Sequence, residues 1–266
     1  MKNHALLTLT LLSLSSFPLA AQGLRNEFPA TSEEIFITIG EDSIAAFGMF
    51  AAGEAPKETV ILLHGLPGNE RNLDLAQALR REGRNVIYFN YRGAWGSQGE
   101  FLYSHCLEDV TAVLDFFDAP ENASKYRILP NEYILFGHST GGGLALLSGA
   151  EDPRVKRIGM YSPWNVSTTS EENFEWLQGY LKGLFMLNMD AKAFVDELRQ
   201  NLEAYDPLRH QEVLGTKQVL VVDENERNRP WVEQIEHAQY VLMDTDHSFS
   251  DKRLELIEVV SDWLDH

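Results

Sequence analysis

A single cysteine, Cys106, stands among 266 residues, which excludes an intramolecular disulfide. It also excludes a zinc site built on cysteine pairs. The histidines form no cluster at metal-ligand spacing, so neither a metal nor another cofactor is expected. Basic side chains are scarce as well. Lys and Arg number 22 against 40 Asp and Glu, for a net charge of -18. Nucleic-acid binders need basic patches to displace counterions, so no nucleic-acid partner is expected. Long apolar runs are missing too: none reaches the ~20 residues that span a bilayer. The stretch MKNHALLTLTLLSLSSFPLAAQG instead combines Lys2, a short apolar core from Ala5 to Leu14 and small residues near Ala20-Ala21. That is the pattern of a secretory signal peptide. The expectation is that residues 1–21 are removed and that 22–266 form a periplasmic or secreted domain with no stable membrane span. No cysteine lies near the cleavage region, which argues against a lipoprotein.

What the chain does contain is 44% hydrophobic residues in two kinds of pattern. Glu34–Ile39 and Ser43–Phe50 flank Gly40-Glu41-Asp42, which predicts a β-hairpin. Beyond it come continuous apolar runs at Thr59–Leu63, Val86–Phe89, Tyr133–Phe136, Ile158–Tyr161 and Val219–Val222, with a further candidate at Gln239–Met243. Such runs fit strands covered on both faces, as in parallel sheets. Helical periodicity fills the gaps between them, as in Val110, Val113, Leu114 and Phe117. The pattern predicts one α/β domain: a mostly parallel eight-stranded sheet with an N-terminal hairpin and helices on both faces. More than fifty residues separate Tyr161 from Gln218. Leu177, Tyr180, Leu181 and Leu184 recur there at helical spacing, and Ala191 to Leu202 predicts a second helix. Two surface helices would satisfy this, as would a small helical cap insertion at about 165–210 over a pocket.

The stretch Phe136-Gly137-His138-Ser139-Thr140-Gly141 fits G-x-S-x-G between a predicted strand and a predicted helix. By itself the pattern is weak, since roughly 0.1 chance matches are expected in a chain this long. Its place in the chain gives it weight, because glycines on both sides permit a turn sharp enough to expose a serine hydroxyl. Three other stretches follow in a consistent order. They are Leu62-Leu63-His64-Gly65-Leu66-Pro67-Gly68, then Asn90-Tyr91-Arg92-Gly93-Ala94-Trp95-Gly96-Ser97, and finally Asp244-Thr245-Asp246-His247-Ser248-Phe249. Together the four resemble the α/β-hydrolase superfamily over nearly all of the chain from Glu34 onward. They match its HG-x-x-G loop, the turn after its fourth strand, its nucleophile elbow and its histidine-bearing loop.

The resemblance implies Ser139 as nucleophile and His247 as base, with an oxyanion hole from the Leu66 and Thr140 amides. Pro67, with no N–H, cannot take that last role. The resemblance implies structural duty for Arg92. It also implies an acid after the strand Val219–Val222, but the segment Asp223-Glu224-Asn225-Glu226-Arg227 departs from the usual G-x-x-D text. Glu226 ranks first by position, Asp223 second and Glu224 third. The function implied is hydrolysis of a small-molecule ester. Cleavage of a short peptide, in the manner of a prolyl-oligopeptidase or acylaminoacyl peptidase without its propeller, is the alternative. A non-catalytic binding protein on the same fold is a third reading. Trp95, Trp164, Trp176 and Phe185 are candidates for an apolar pocket, or equally for core.

Overall fold

The computed structural model describes residues 27–266. The expected signal peptide lies outside them. Eight strands form one sheet: β1 (Thr31–Ile39), β2 (Asp42–Phe50), β3 (Lys57–Leu63), β4 (Asn85–Phe89), β5 (Ile128–His138), β6 (Val155–Tyr161), β7 (Gln218–Asp223) and β8 (Gln239–Leu242). Their spatial order is β1-β2-β4-β3-β5-β6-β7-β8. The hairpin β1–β2 pairs antiparallel and β2 joins β4 antiparallel, while every pairing from β4 to β8 is parallel. This is the mostly parallel sheet with an N-terminal hairpin that the apolar runs predict.

Alternation along the strands divides the core into two layers. On β3, Ile61 and Leu63 face one layer, and Val60 and Leu62 the other. The first layer is closed by α2 (Tyr103–Asp118) through Val110, Val113 and Leu114, and by α4 (Thr140–Glu151) through Leu144 and Leu147. The second is closed by α1 (Leu73–Arg81) through Leu75 and Leu79, and by the C-terminal helix α8 (Arg253–Leu264) through Leu256, Val260 and Trp263. A short helix α3 (Pro120–Tyr126) leads into β5.

The strand order reverses at β3. From β3 the chain passes through α1 to β4 on one side, then returns through α2 and α3 to β5 on the other. The connections after β3 and after β5 therefore leave on opposite faces of the sheet. In an open α/β sheet such a reversal opens a crevice at the carboxyl ends of the two strands. His64-Gly65 and His138-Ser139 stand at those ends.

Between β6 and β7 the chain inserts α5 (Glu171–Leu181) and α6 (Ala191–Gln200), followed by the short α7 (Gln211–Leu214). Asp190 starts α6 by accepting hydrogen bonds from the Lys192 and Ala193 amides. The expected helical stripe is shorter than its spacing implies, because α5 ends at Leu181 and Leu184 lies beyond it. Residues 184–188 turn inward to dock on the loop after β4: Trp95 N–H donates to the Met186 carbonyl and Asn188 N–H to that of Gly93. Phe185, at the apex, is 92% exposed.

The loop after β4 is itself held by Arg92, as expected of a structural residue. Its backbone N–H donates to Asp109 Oδ2 at 2.7 Å, its guanidinium to Asp109 Oδ1, and Nη2 to Glu108 Oε2 at 2.6 Å. The Asp109 side chain is fully buried, so this ion pair is shielded from water. Removing one partner of a buried pair strands the other charge, at a cost of about 3 kcal/mol. Asp109→Ala should accordingly lose about 3 kcal/mol of stability, read as a lower midpoint in urea unfolding.

Candidate active site

The turn from β5 to α4 is dictated by clearance. A Cβ on Gly137 would lie 2.1 Å from the Gly141 carbonyl oxygen, and one on Gly141 would lie 2.1 Å from that of Leu63. Only glycine fits at either place, and the residue between them must reverse the chain. Ser139 does so with φ 53° and ψ -117°, in a region that costs a non-glycine residue about 1–3 kcal/mol. The turn is held by Ser139 N–H donating to the Tyr161 carbonyl at 3.2 Å. Trp164 N–H donates to the Ser139 carbonyl at 2.9 Å. Thr140 opens α4, a 12-residue helix whose N-terminus directs partial positive charge at the turn.

The loop after β3 packs directly on this turn. A Cβ on Gly65 would come within 2.9 Å of the Ser139 Cβ, so Leu66, one residue on, is brought beside the serine. Among the described residues, the Leu66 and Thr140 amides donate to no backbone or side-chain acceptor. Two unsatisfied donors beside a strained serine are what an oxyanion site requires. His64 supports the loop from below, its Nδ1 donating to the Gly65 carbonyl at 2.8 Å. Burial pushes the His64 pKa down to about 4, so it stays neutral and takes no part as a surface base.

His247 lies in the loop after β8, with its side chain half exposed. Phe249, fully buried, anchors that loop edge-on to Tyr161 with ring centroids 5.3 Å apart. The His247 carbonyl is held by His138 Nε2 at 3.0 Å, with the Ser162 hydroxyl oxygen 3.1 Å away. His138, the residue before the serine, stacks on Tyr161 at 4.3 Å, and its ring centroid lies 5.0 Å from that of His247. The histidine loop is thus strapped to the serine turn, and both stand at the same edge of the sheet. No direct hydrogen bond joins the Ser139 hydroxyl to the imidazole among the described residues; such contacts often tighten only when substrate binds. Burial, with the nearby His247 adding to it, pushes His138 down to about 3 and keeps it neutral.

The carboxylate that meets His247 is Glu224. Its Oε1 lies 3.4 Å from His247 Nδ1 and its Oε2 accepts the Ser162 hydroxyl at 2.6 Å. Burial pushes the Glu224 pKa up, but hydrogen bonds from His247, Asp223 and Ser162 outweigh it and hold the carboxyl well below the usual range. This corrects the order given by sequence position. Glu226, ranked first there, is exposed and pairs with Arg229 Nε at 3.0 Å. Asp223, ranked second, is fully buried and accepts from Asn228 Nδ2 at 2.8 Å, with the Tyr240 hydroxyl, which donates to the Asn225 carbonyl at 2.7 Å, lying 3.2 Å away. The physical reason lies in the turn after β7. Arg227 N–H donates to Asn225 Oδ1 and Arg229 N–H to the Glu226 carbonyl, which folds the segment back and points Glu226 to solvent. Sequence reasoning also overlooked the His138 side chain and Ser162. The one signal for Ser162 is its place at the end of β6, where it is fully buried with φ 46°.

The aromatic candidates separate. Trp95 is half buried and its indole N–H donates to the Pro67 carbonyl at 2.7 Å, bracing the loop that carries Leu66. Trp164 is half buried beside the serine turn, whereas Trp176 and Phe185 are exposed on the insertion. Cys106 is buried, and burial pushes its thiol well up, so it is no nucleophile. Among the described residues there is no group of three or more His, Cys, Asp or Glu able to hold a metal, and no helix long and apolar enough to cross a membrane.

Residues 54–214 match the family described as serine aminopeptidase, S33. The chain belongs to this family of α/β-fold hydrolases. The matched region carries Leu66, Ser139 and Thr140 but ends before Glu224 and His247. Two curated relatives from Escherichia coli, each described as an uncharacterized 31.7 kDa protein in the traX-finO intergenic region, are 34% identical over 113 residues. That match spans 40% of this chain and only 37% of theirs. Among solved structures, Est1E from Butyrivibrio proteoclasticus superposes with a TM-score of 0.62 at 15% identity, over 87% of this chain and 97% of its own. The Pyrococcus furiosus esterase Pf2001 gives 0.64 at 17% identity, over 90% of each chain. At such identities the likeness establishes the fold. Within this S33-family fold, Ser139→Gly should relieve the turn. It should be more stable than Ser139→Ala by about 1 kcal/mol, measured as the difference in thermal or urea midpoint between the two variants.

Proposed function

We propose that the chain is an exported serine hydrolase that cleaves carboxylic esters through an acyl-enzyme intermediate on Ser139. The observation that carries this reading is the strained Ser139 turn, with the Leu66 and Thr140 amides beside it and the His247 loop strapped to it. A serine hydroxyl is a poor nucleophile until a base accepts its proton. In this mechanism His247 Nε2 takes the Ser139 proton as Oγ attacks the ester carbonyl. Glu224 holds Nδ1–H, fixes the tautomer and stabilises the imidazolium that forms. The Leu66 and Thr140 amides receive the developing oxyanion. Collapse expels the alcohol, which leaves with the proton from His247. Water, activated by the same imidazole, then releases the acid and restores Ser139.

Hydrolysis of short p-nitrophenyl esters should be lost in Ser139→Ala while the protein stays folded. Glu224→Gln should lower kcat by roughly 10²–10⁴-fold, and Glu226→Gln should remain within a few fold of wild type. The reverse ranking of the two glutamates would move the acid back to Glu226. Cleavage of a short peptide amide is the second reading, favoured by the description of the matched family. Aminoacyl p-nitroanilides tested beside the esters decide between them, since turnover confined to the anilides favours the peptidase. Export rests on the sequence of residues 1–21. N-terminal sequencing of the protein released from its host should begin near Gln22.

A further inference from the structure

Asp223 is an unusual neighbour for a triad acid. Its side chain is fully buried at the end of β7, and every polar group that reaches it is neutral: the Asn228 amide and the Glu224 backbone N–H donate to it, and the Tyr240 hydroxyl, which donates to the Asn225 carbonyl at 2.7 Å, lies 3.2 Å away. No cation pairs with it among the described residues. A buried carboxylate without a countercharge is costly. Glu224, directly adjoining, is committed to the ionised form, because its two oxygens accept from the Ser162 hydroxyl, His247 Nδ1, Asn225 Nδ2 and Arg227 Nη2. Two adjacent carboxylates cannot both ionise cheaply, so one proton belongs to the pair.

We propose that this proton resides on Asp223 and is shared with Glu224, making Asp223 a positioning residue that aims Glu224 at His247 and sets the alkaline limit of activity. The proposal rests on the assignment of Glu224 as the acid. Titration directions agree with the geometry. Burial first, and then the Glu224 carboxylate, push Asp223 above the usual carboxylate range, while the shared hydrogen bond helps hold Glu224 below it. The sign follows. Burial and the Glu224 carboxylate push Asp223 up to about 7, so below that pH the Asp223 O–H binds Glu224 and fixes it. Raising the pH removes that proton, sets two negative charges side by side and pushes Glu224 away from Nδ1. Activity then falls. The charged and titratable groups around the pair are His247 with His138 behind it, Tyr240 from β8 with Arg229 over its ring, and Arg227 and Glu226 in the loop. Ser162, at the end of β6, is neutral. Among the described residues Arg227 is the one Lys or Arg side chain in direct contact with the pair, and it touches Glu224 at 3.5 Å rather than Asp223.

An asparagine at 223 donates a permanent hydrogen bond to Glu224 and cannot ionise; an alanine does neither. The test is the pH profile of kcat and KM for p-nitrophenyl acetate in the chain from residue 22 onward, with thermal melts verifying that each variant is folded. Wild type should show an alkaline fall in kcat. Asp223→Asn should lose that fall at the expense of about 3-fold in kcat at neutral pH. Asp223→Ala should lose about 10-fold in kcat with KM unchanged, which makes the asparagine a rescue of the alanine. An alkaline fall that persists in Asp223→Asn overturns the proposal. So does a loss in Asp223→Asn of about 100-fold or more, which would make Asp223 itself the acid. Glu224→Gln is run in parallel. Wild-type activity in that variant refutes the acid assignment, whereas impaired Glu224→Gln with an unchanged alkaline limb in Asp223→Asn refutes the carboxyl pair alone.

Discussion

The site depends on a steric constraint at one position. The carbonyl of Gly141 crowds Gly137 and that of Leu63 crowds Gly141, so the chain has no room for a side chain before or after the turn and a strained serine is left at its apex. The strain is tolerated because the surrounding parts over-determine it. β5 is paired on both sides, and α4 is buried from Thr140 to Ala150. The loop after β3 presses its own glycine against the serine. Reversal of strand order at β3 supplies the crevice into which the hydroxyl projects. Fold and site are in this sense one arrangement: the same crossover that divides the core into two layers also separates the loops that wall the cleft.

Around that turn, polar groups are kept neutral except where charge is useful. His64 and His138 are buried deeply enough to remain unprotonated, and each uses a ring nitrogen to hold a backbone carbonyl. One braces the loop bearing Leu66, and the other straps the His247 loop to the serine. His247 alone of the three stands half exposed, with its ring turned to the Glu224 carboxylate rather than to a backbone carbonyl. Negative charge is gathered on Glu224 by donors from β6, from the histidine loop and from its own loop.

How far the sequence reveals this varies with the kind of constraint. The elbow and the loop before it are legible because their geometry is written in glycines, and no other residue type satisfies those clearances. The strands are legible because burial on both faces requires unbroken apolar runs. The carboxylate that faces His247 is not legible in the same way. Asp223-Glu224-Asn225-Glu226 offers three carboxylates within four positions, and the choice is made by a turn whose hydrogen bonds come from Asn225, Arg227 and Arg229. Position relative to the strand favours Glu226, yet the turn sends it to solvent. The insertion misleads for a related reason. Leu184 continues the spacing of Leu177 and Leu181, but its segment leaves the helix to pair with the loop after β4. His138 hides its part because a histidine inside the motif reads as filler until its ring is seen to reach the His247 carbonyl.

Covalent capture of the serine tests the account most directly. The protein is exposed to a fluorophosphonate, which phosphonylates only an activated serine, and the adduct is located by peptide mass spectrometry in wild type and in His247→Ala. The account predicts stoichiometric modification of Ser139 in wild type and a large loss of labelling rate without the imidazole. An unlabelled Ser139 in folded protein, or modification that proceeds equally fast without His247, would contradict it.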